Sequence, residues 1–178
     1  MERKRYLAAY DEHLRAEAEV LGAASTARLG PLWLALFTGG SGFITYRDLA
    51  GANAEGVRRI VTEALDHFRA SPSVERVEWK TRAHDTAPGL LKALLEHGFV
   101  AEEPESIMVG EARKLATDVA LPTGVRVRRV TTEPDVRAVS ALQDTVFGGV
   151  VSEAAADALV RRLASEDQVE LWAAPLSG

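Results

Sequence analysis

The strongest chemical suggestion in this sequence is the run Arg47-Asp48-Leu49-Ala50-Gly51-Ala52-Asn53. A β-rich stretch precedes it and an amphipathic helix follows. Strand, small-residue loop and helix N-terminus, in that order, is how many folds hold phosphate. Small side chains let backbone N–H groups approach the anion, and the helix dipole adds partial positive charge. Arg47 supplies a cation. Asp48 and Glu55 place negative charge close by, and the loop contains no lysine. The same residues also read as a plain turn between a strand and a helix.

The remaining candidates carry a bland reading beside a functional one. Glu78, between Val77 and Trp79, is a general base if it faces a cleft; otherwise it pairs with a neighbouring arginine on a polar sheet face. His84-Asp85 is a potential imidazole–carboxylate pair, although Asp85, close before Thr86 and Pro88, also suits a helix cap. Glu102, Glu103 and Glu105 form a short acidic run, either a lure for a cationic amine or a solvated loop. His13, His67 and His97 are isolated from other metal-ligating residues. Trp33, Trp79 and Trp172 fall on expected strands, where packing is their default role. No Gly-x-Ser-x-Gly, Walker A, His-Glu-x-x-His or zinc spacing occurs.

Composition narrows the classes. The chain has 178 residues, 47% hydrophobic and 26% charged, with a net charge of −5. That is ordinary globular composition, with no general pull toward nucleic acid or anionic membrane. With no cysteine, disulfides, thiolate metal sites and cysteine nucleophiles are excluded. The charged start and the absence of a long apolar stretch set the expectation of a cytoplasmic protein.

The elements that must position these residues follow from periodicity. Residues 4–20 read as a helix with Tyr6, Leu7, Tyr10, Leu14 and Val20 in phase, broken by residues 22–25. Runs 32–37 and 43–49 flank Gly39-Gly40-Ser41-Gly42, a hairpin signal, with Pro31 at a strand start. Residues 54–69 carry the clearest helical stripe (Val57, Ile60, Val61, Ala64, Leu65, Phe68), and Asn53 is the expected N-cap. Alternation at 74–82 predicts a strand. Residues 87–97 predict a helix capped by Asp85 or Thr86, with Leu90, Leu91, Leu94 and Leu95 buried and Gly98 as its left-handed terminator. Residues 105–115 read as a strand and 116–124, with Pro122 and Gly124, as a linker. Beyond it, Val125, Val127 and Val130 suggest a strand. Thr132 and Asp135 open a helix through Val146 with Val136, Val139 and Leu142 inward. Ser152 caps a helix over 153–164 with Ala156, Leu159, Val160 and Leu163 inward, and residues 169–175 form a last strand.

This order, and above all "LLKALLEHGFVAEEPESIMV" with its helix, Gly-Phe junction and following strand, resembles the second half of the GNAT (Gcn5-related N-acetyltransferase) fold. Residues 125–175 resemble the opening of a second GNAT domain. The whole is similar to tandem acetyltransferases of the mycothiol synthase type: a degenerate repeat over 1–115, a linker over 116–124, and the first half of a second repeat over 125–178. The resemblance implies an α/β (α+β) fold with a mixed, mostly antiparallel sheet and helices on both faces. It implies acetyl-CoA as cofactor, bound at Arg47, Ala50, Gly51, Ala52 and Asn53, and a small amine as acceptor. In such an enzyme the neutral amine attacks the thioester, a general base removes a proton, and backbone N–H groups polarise the carbonyl; no residue here is assigned as the base. The family pattern is Gln/Arg-x-x-Gly-x-Gly/Ala. Arg47 and Ala52 agree with it, whereas Ala50 stands in the first Gly slot, where its Cβ resists positive φ. The tyrosine that serves as general acid in the family falls here on Leu94. The second repeat ends, on this reading, before any pyrophosphate loop. Two function classes therefore stand as expectations: an acetyl-CoA-dependent N-acetyltransferase, and a non-catalytic GNAT-like module that binds a ligand or itself. An open sheet edge makes a homo-oligomer, with copies completing each other's sheets, a further expectation.

Overall fold

Gly39 and Gly40 take positive φ in the tight turn that organises the main sheet. The computed structural model describes residues 2–116, 118–146, 150–164 and 169–174. It divides into two compact units, Met1–Leu115 and Ala116–Gly178. The first runs α1 (Glu2–His13), a 3-10 helix (Ala16–Val20), β1 (Ser25–Leu29), β2 (Leu32–Phe37), β3 (Ser41–Tyr46), α2 (Ala54–Arg69), β4 (Arg76–Trp79), α3 (Leu90–Glu96) and the single turn α4 (Ala112–Leu115). The sheet order is β1-β2-β3-β4. β1–β2 and β2–β3 are antiparallel, while β3–β4 is parallel with Ile44 opposite Trp79. The fold is therefore α+β with a mixed, mostly antiparallel sheet.

Strand alternation divides the two faces. Leu32, Leu34, Ile44, Tyr46 and Trp79 are buried in one core with Val57, Val61 and Phe68 of α2 and with Leu90 and Leu94 of α3. The intervening residue Thr45 faces the other side, where its hydroxyl donates to Glu19 of the 3-10 helix. Gly42 lets α2 come close: a Cβ there would lie 2.9 Å from the Phe68 ring. Asn53 caps α2 as its sequence suggests, accepting from the Gly56 N–H at 2.9 Å. The end of α3 is a Schellman closure at Gly98 (φ +88): the Gly98 N–H reaches the Leu95 carbonyl and the Phe99 N–H the Leu94 carbonyl, both at 3.1 Å.

Several expectations are corrected here. The first helix stops at His13, because Arg15 is extended and Ala16 takes a φ of 57°. β1 was not expected, and only its first residue, Ser25, lies in the expected break over 22–25. Residues 74–82 give a strand only over Arg76–Trp79. α3 begins at Leu90 after Gly89 (φ 77°), and neither Asp85 nor Thr86 caps it. Leu91 and Leu95 are exposed at 60% and 51%, not buried. No strand forms over 105–115; residues 105–111 are irregular and lead into α4. Alternation makes a strand only where an edge is available to pair with it.

The second unit contains β5 (Arg128–Arg129), α5 (Glu133–Val146), α6 (Glu153–Ala164) and β6 (Trp172–Ala173), with β5 and β6 antiparallel. Thr132 and Ser152 cap α5 and α6, accepting from the Asp135 and Ala155 N–H groups. Arg137 joins the helices through Glu133, Glu153 and Asp157. Arg128 grips Asp135 at 2.8 Å, and these hydrogen bonds hold the Asp135 carboxyl down at about 2. Val136 and Ala156 are buried as expected, whereas Leu142 and Trp172 are exposed. The expected last strand is limited to Trp172–Ala173, and Pro175 lies outside the described residues.

Candidate functional site

Ligands in sheets with parallel strands commonly sit beyond the strands' carboxyl ends. Here that region lies past Tyr46 of β3 and Trp79 of β4. Two structures meet there: the loop 47–53 and a cluster of charged side chains.

The loop keeps the strand–turn–helix shape and is closed by its own side chains. The Asp48 carboxylate accepts from the Ala50 N–H at 2.8 Å, and the Asn53 amide oxygen holds the Gly56 N–H. Ala50 (φ 54°) and Gly51 (φ 70°) are both left-handed. The Ala52 N–H returns to the Leu49 carbonyl at 3.0 Å. Arg47 turns away and donates to the Glu12 carbonyl at the end of α1, at 2.8 Å. In this arrangement the Ala50 and Ala52 N–H groups serve internal acceptors, a carboxylate in the case of Ala50, and Arg47 is engaged by a backbone carbonyl. Leu94 is a core residue at 5% exposure.

The cluster is held by two buried arginines. Arg15, with its side chain 2% exposed, bonds Asp11 and Asp85 at 2.9 Å and donates to the Tyr46 carbonyl at 3.1 Å. Arg82 pairs with Glu19 and donates to the Tyr10 hydroxyl at 3.1 Å. Glu19 also accepts from the Thr45 hydroxyl and the Ala16 N–H. His84 lies 2.9 Å from Asp11 and 4.0 Å from Asp85, so the adjacent His84 and Asp85 do not form the imidazole–carboxylate pair considered from sequence. Burial works against ionisation of Asp11, but hydrogen bonds from His84 and Arg15 outweigh it and hold the carboxyl below its usual value. Burial, then the nearby Asp85 charge, pushes the Tyr46 phenol well above its usual range. Among the described residues, the Tyr46 hydroxyl, the Trp79 indole N–H and the Arg15 Nε are buried without hydrogen-bond partners.

Chemically this cluster is a clasp. Its arginines are each met by carboxylates, and Tyr46, 1% exposed, presents no proton to solvent. It ties α1 and the 3-10 helix to the loop after β4. Sequence reasoning missed Arg15, Glu19 and Arg82; only the Asp11–Arg15 spacing of four residues on an expected helix hinted at a pair. Glu78 is exposed and makes no ion pair among the described residues, contrary to the expected arginine partner. His97 approaches the Thr62 hydroxyl at 3.5 Å, and His67 meets Phe68 edge to face. Trp33 lies under the Arg28 guanidinium at 4.6 Å. Glu102, Glu103 and Glu105 are solvated. Among the described residues no group of three or more acidic or histidine side chains is placed to hold a metal, and no helix is long and apolar enough to cross a membrane. No protein-family model, curated protein or solved structure matches this chain.

Proposed function

We propose that this chain is a GNAT-type protein whose first unit is a non-catalytic module, a closed copy of an acetyl-CoA-binding fold. One observation carries the reading: the space beyond the parallel strands is filled by Arg15, Arg82 and their carboxylates, while the adjoining loop caps itself through Asp48 and Asn53. The antiparallel–antiparallel–parallel strand order, the crossover helix α2 and the Gly98-Phe99 closure support the GNAT part. The module's work is to present a surface and to support a neighbouring element, not to move an acetyl group.

A second reading is a working N-acetyltransferase that moves acetyl from acetyl-CoA to a small amine. The retained strand–loop–helix with two consecutive left-handed residues favours it. A calorimetric titration of the 178-residue chain with acetyl-CoA separates the two. The module reading expects no saturable heat at millimolar ligand. Binding that disappears in Arg47→Ala, accompanied by acetylation of a small amine, would establish the enzyme instead.

A further inference from the structure

We propose that two copies of this chain pair through the outward face of α3, with Leu91 of each copy against Leu95 of the other and Lys92 of each copy against Glu96 of the other. The face is unusual for so short a helix. Leu90, Ala93 and Leu94 are buried, so the opposite side of α3 belongs to solvent. That side is split lengthwise: Leu91 and Leu95 form one row, and Lys92 and Glu96 form the other. The leucines expose 60% and 51% of their surface beside a shallow groove lined by these four residues.

The pattern is self-complementary. Both rows have a spacing of four residues, so a two-fold axis across the helix superposes each row on its own reverse. Antiparallel pairing then sets Leu91 against Leu95 and the positive residue 92 against the negative residue 96, twice. A partner of uniform charge would match only half of this face. Lys92 and Glu96 are 3.9 Å apart within one chain, with side chains 73% and 46% exposed. Such a surface pair contributes little, and exchanging it for a partner across an interface costs little. The helix has seven residues, so the contact falls near or below the roughly 1,000 Å² of a stable interface and the dimer is weak.

Sedimentation of the full chain at low salt tests this. Its mass is expected to rise from monomer toward dimer between about 10 μM and about 1 mM. Leu91→Glu with Leu95→Glu holds it monomeric over that range. Lys92→Glu alone and Glu96→Lys alone each weaken association about tenfold, because every cross-pair becomes repulsive. An equimolar mixture of the two single variants restores it, which mere apolar stickiness does not predict. Circular dichroism melts of each variant confirm that α3 is folded. A constant monomer mass overturns the proposal; so does self-association of the charge variants at the wild-type level, which would put the interface elsewhere.

Discussion

The loop 47–53 and the clasp around Arg15 share one end of the sheet and treat charge in opposite ways. In the loop, Asp48 and Asn53 spend their acceptors on neighbouring amides, and the backbone at Gly51 stays open, with nothing within 4 Å of a built Cβ. In the clasp, charges from two distant segments, residues 11–19 and 82–85, meet around a buried centre: the side chains of Arg15, Arg82 and Asp85 are 2%, 4% and 6% exposed. The difference shows where the fold depends on long-range electrostatics. A solvated loop tolerates a local cap that forms or breaks at little cost, whereas a buried charge must keep its partner.

The largest test of that contrast is Arg15→Met, which strands Asp85. A loss of about 3–5 kcal/mol by urea denaturation is expected, and adding Asp85→Leu should recover most of it. A loss below about 1 kcal/mol, the scale of exposed pairs, would erase the distinction. In the loop, Asn53→Ala removes one cap and should cost about 1 kcal/mol by the same measurement. Ala50→Gly should act in the opposite direction. Relief of a left-handed alanine, about 1–2 kcal/mol, exceeds the added chain entropy of about 0.5–1 kcal/mol, so the variant melts higher. A lower melting temperature would mean that Ala50 does not hold positive φ in solution. The smallest effect concerns acid. The folded Asp11 carboxyl is lowered, so its contribution is complete above the unfolded value of about 3.9 and is lost as pH falls through the lower folded value. Asp11→Asn should therefore flatten the acid limb of a stability–pH curve and leave its shape near neutrality; an unchanged acid limb would remove Asp11 from the clasp.

Legibility in the sequence followed how local each cause is. α2 was readable to the residue, because its stripe, its cap and its start all lie within one segment. The hairpin was readable from Gly39 and Gly40, and the end of α3 from Gly98. β1 was not, because Ser25-Thr26-Ala27-Arg28-Leu29 has no strong alternation and becomes a strand through its register with β2, Thr26 facing Ala35. The opposite error arose at 105–111, whose apolar residues have strand character but no paired edge. At the candidate site, the loop's shape and the Asn53 cap could be read. That Asp48 turns back on Ala50 could not, since the same sequence serves an open or a closed loop. The clasp was invisible for a simpler reason: Arg15 and Asp85 come from separate segments, and nothing in either segment names the other.

That separation has a kinetic consequence. The Arg15–Asp85 bond joins residues 70 apart, while the hairpin that defines β2 and β3 closes within a few positions. Closing a loop on that scale costs more chain entropy than local pairing, and we expect the clasp to form after the folding transition state, as the last latch on an assembled sheet. We expect its removal to quicken unfolding and leave the refolding rate nearly unchanged, a signature that the two limbs of a chevron plot would show or refute. The clasp would then govern how long the folded chain persists more than how quickly it forms.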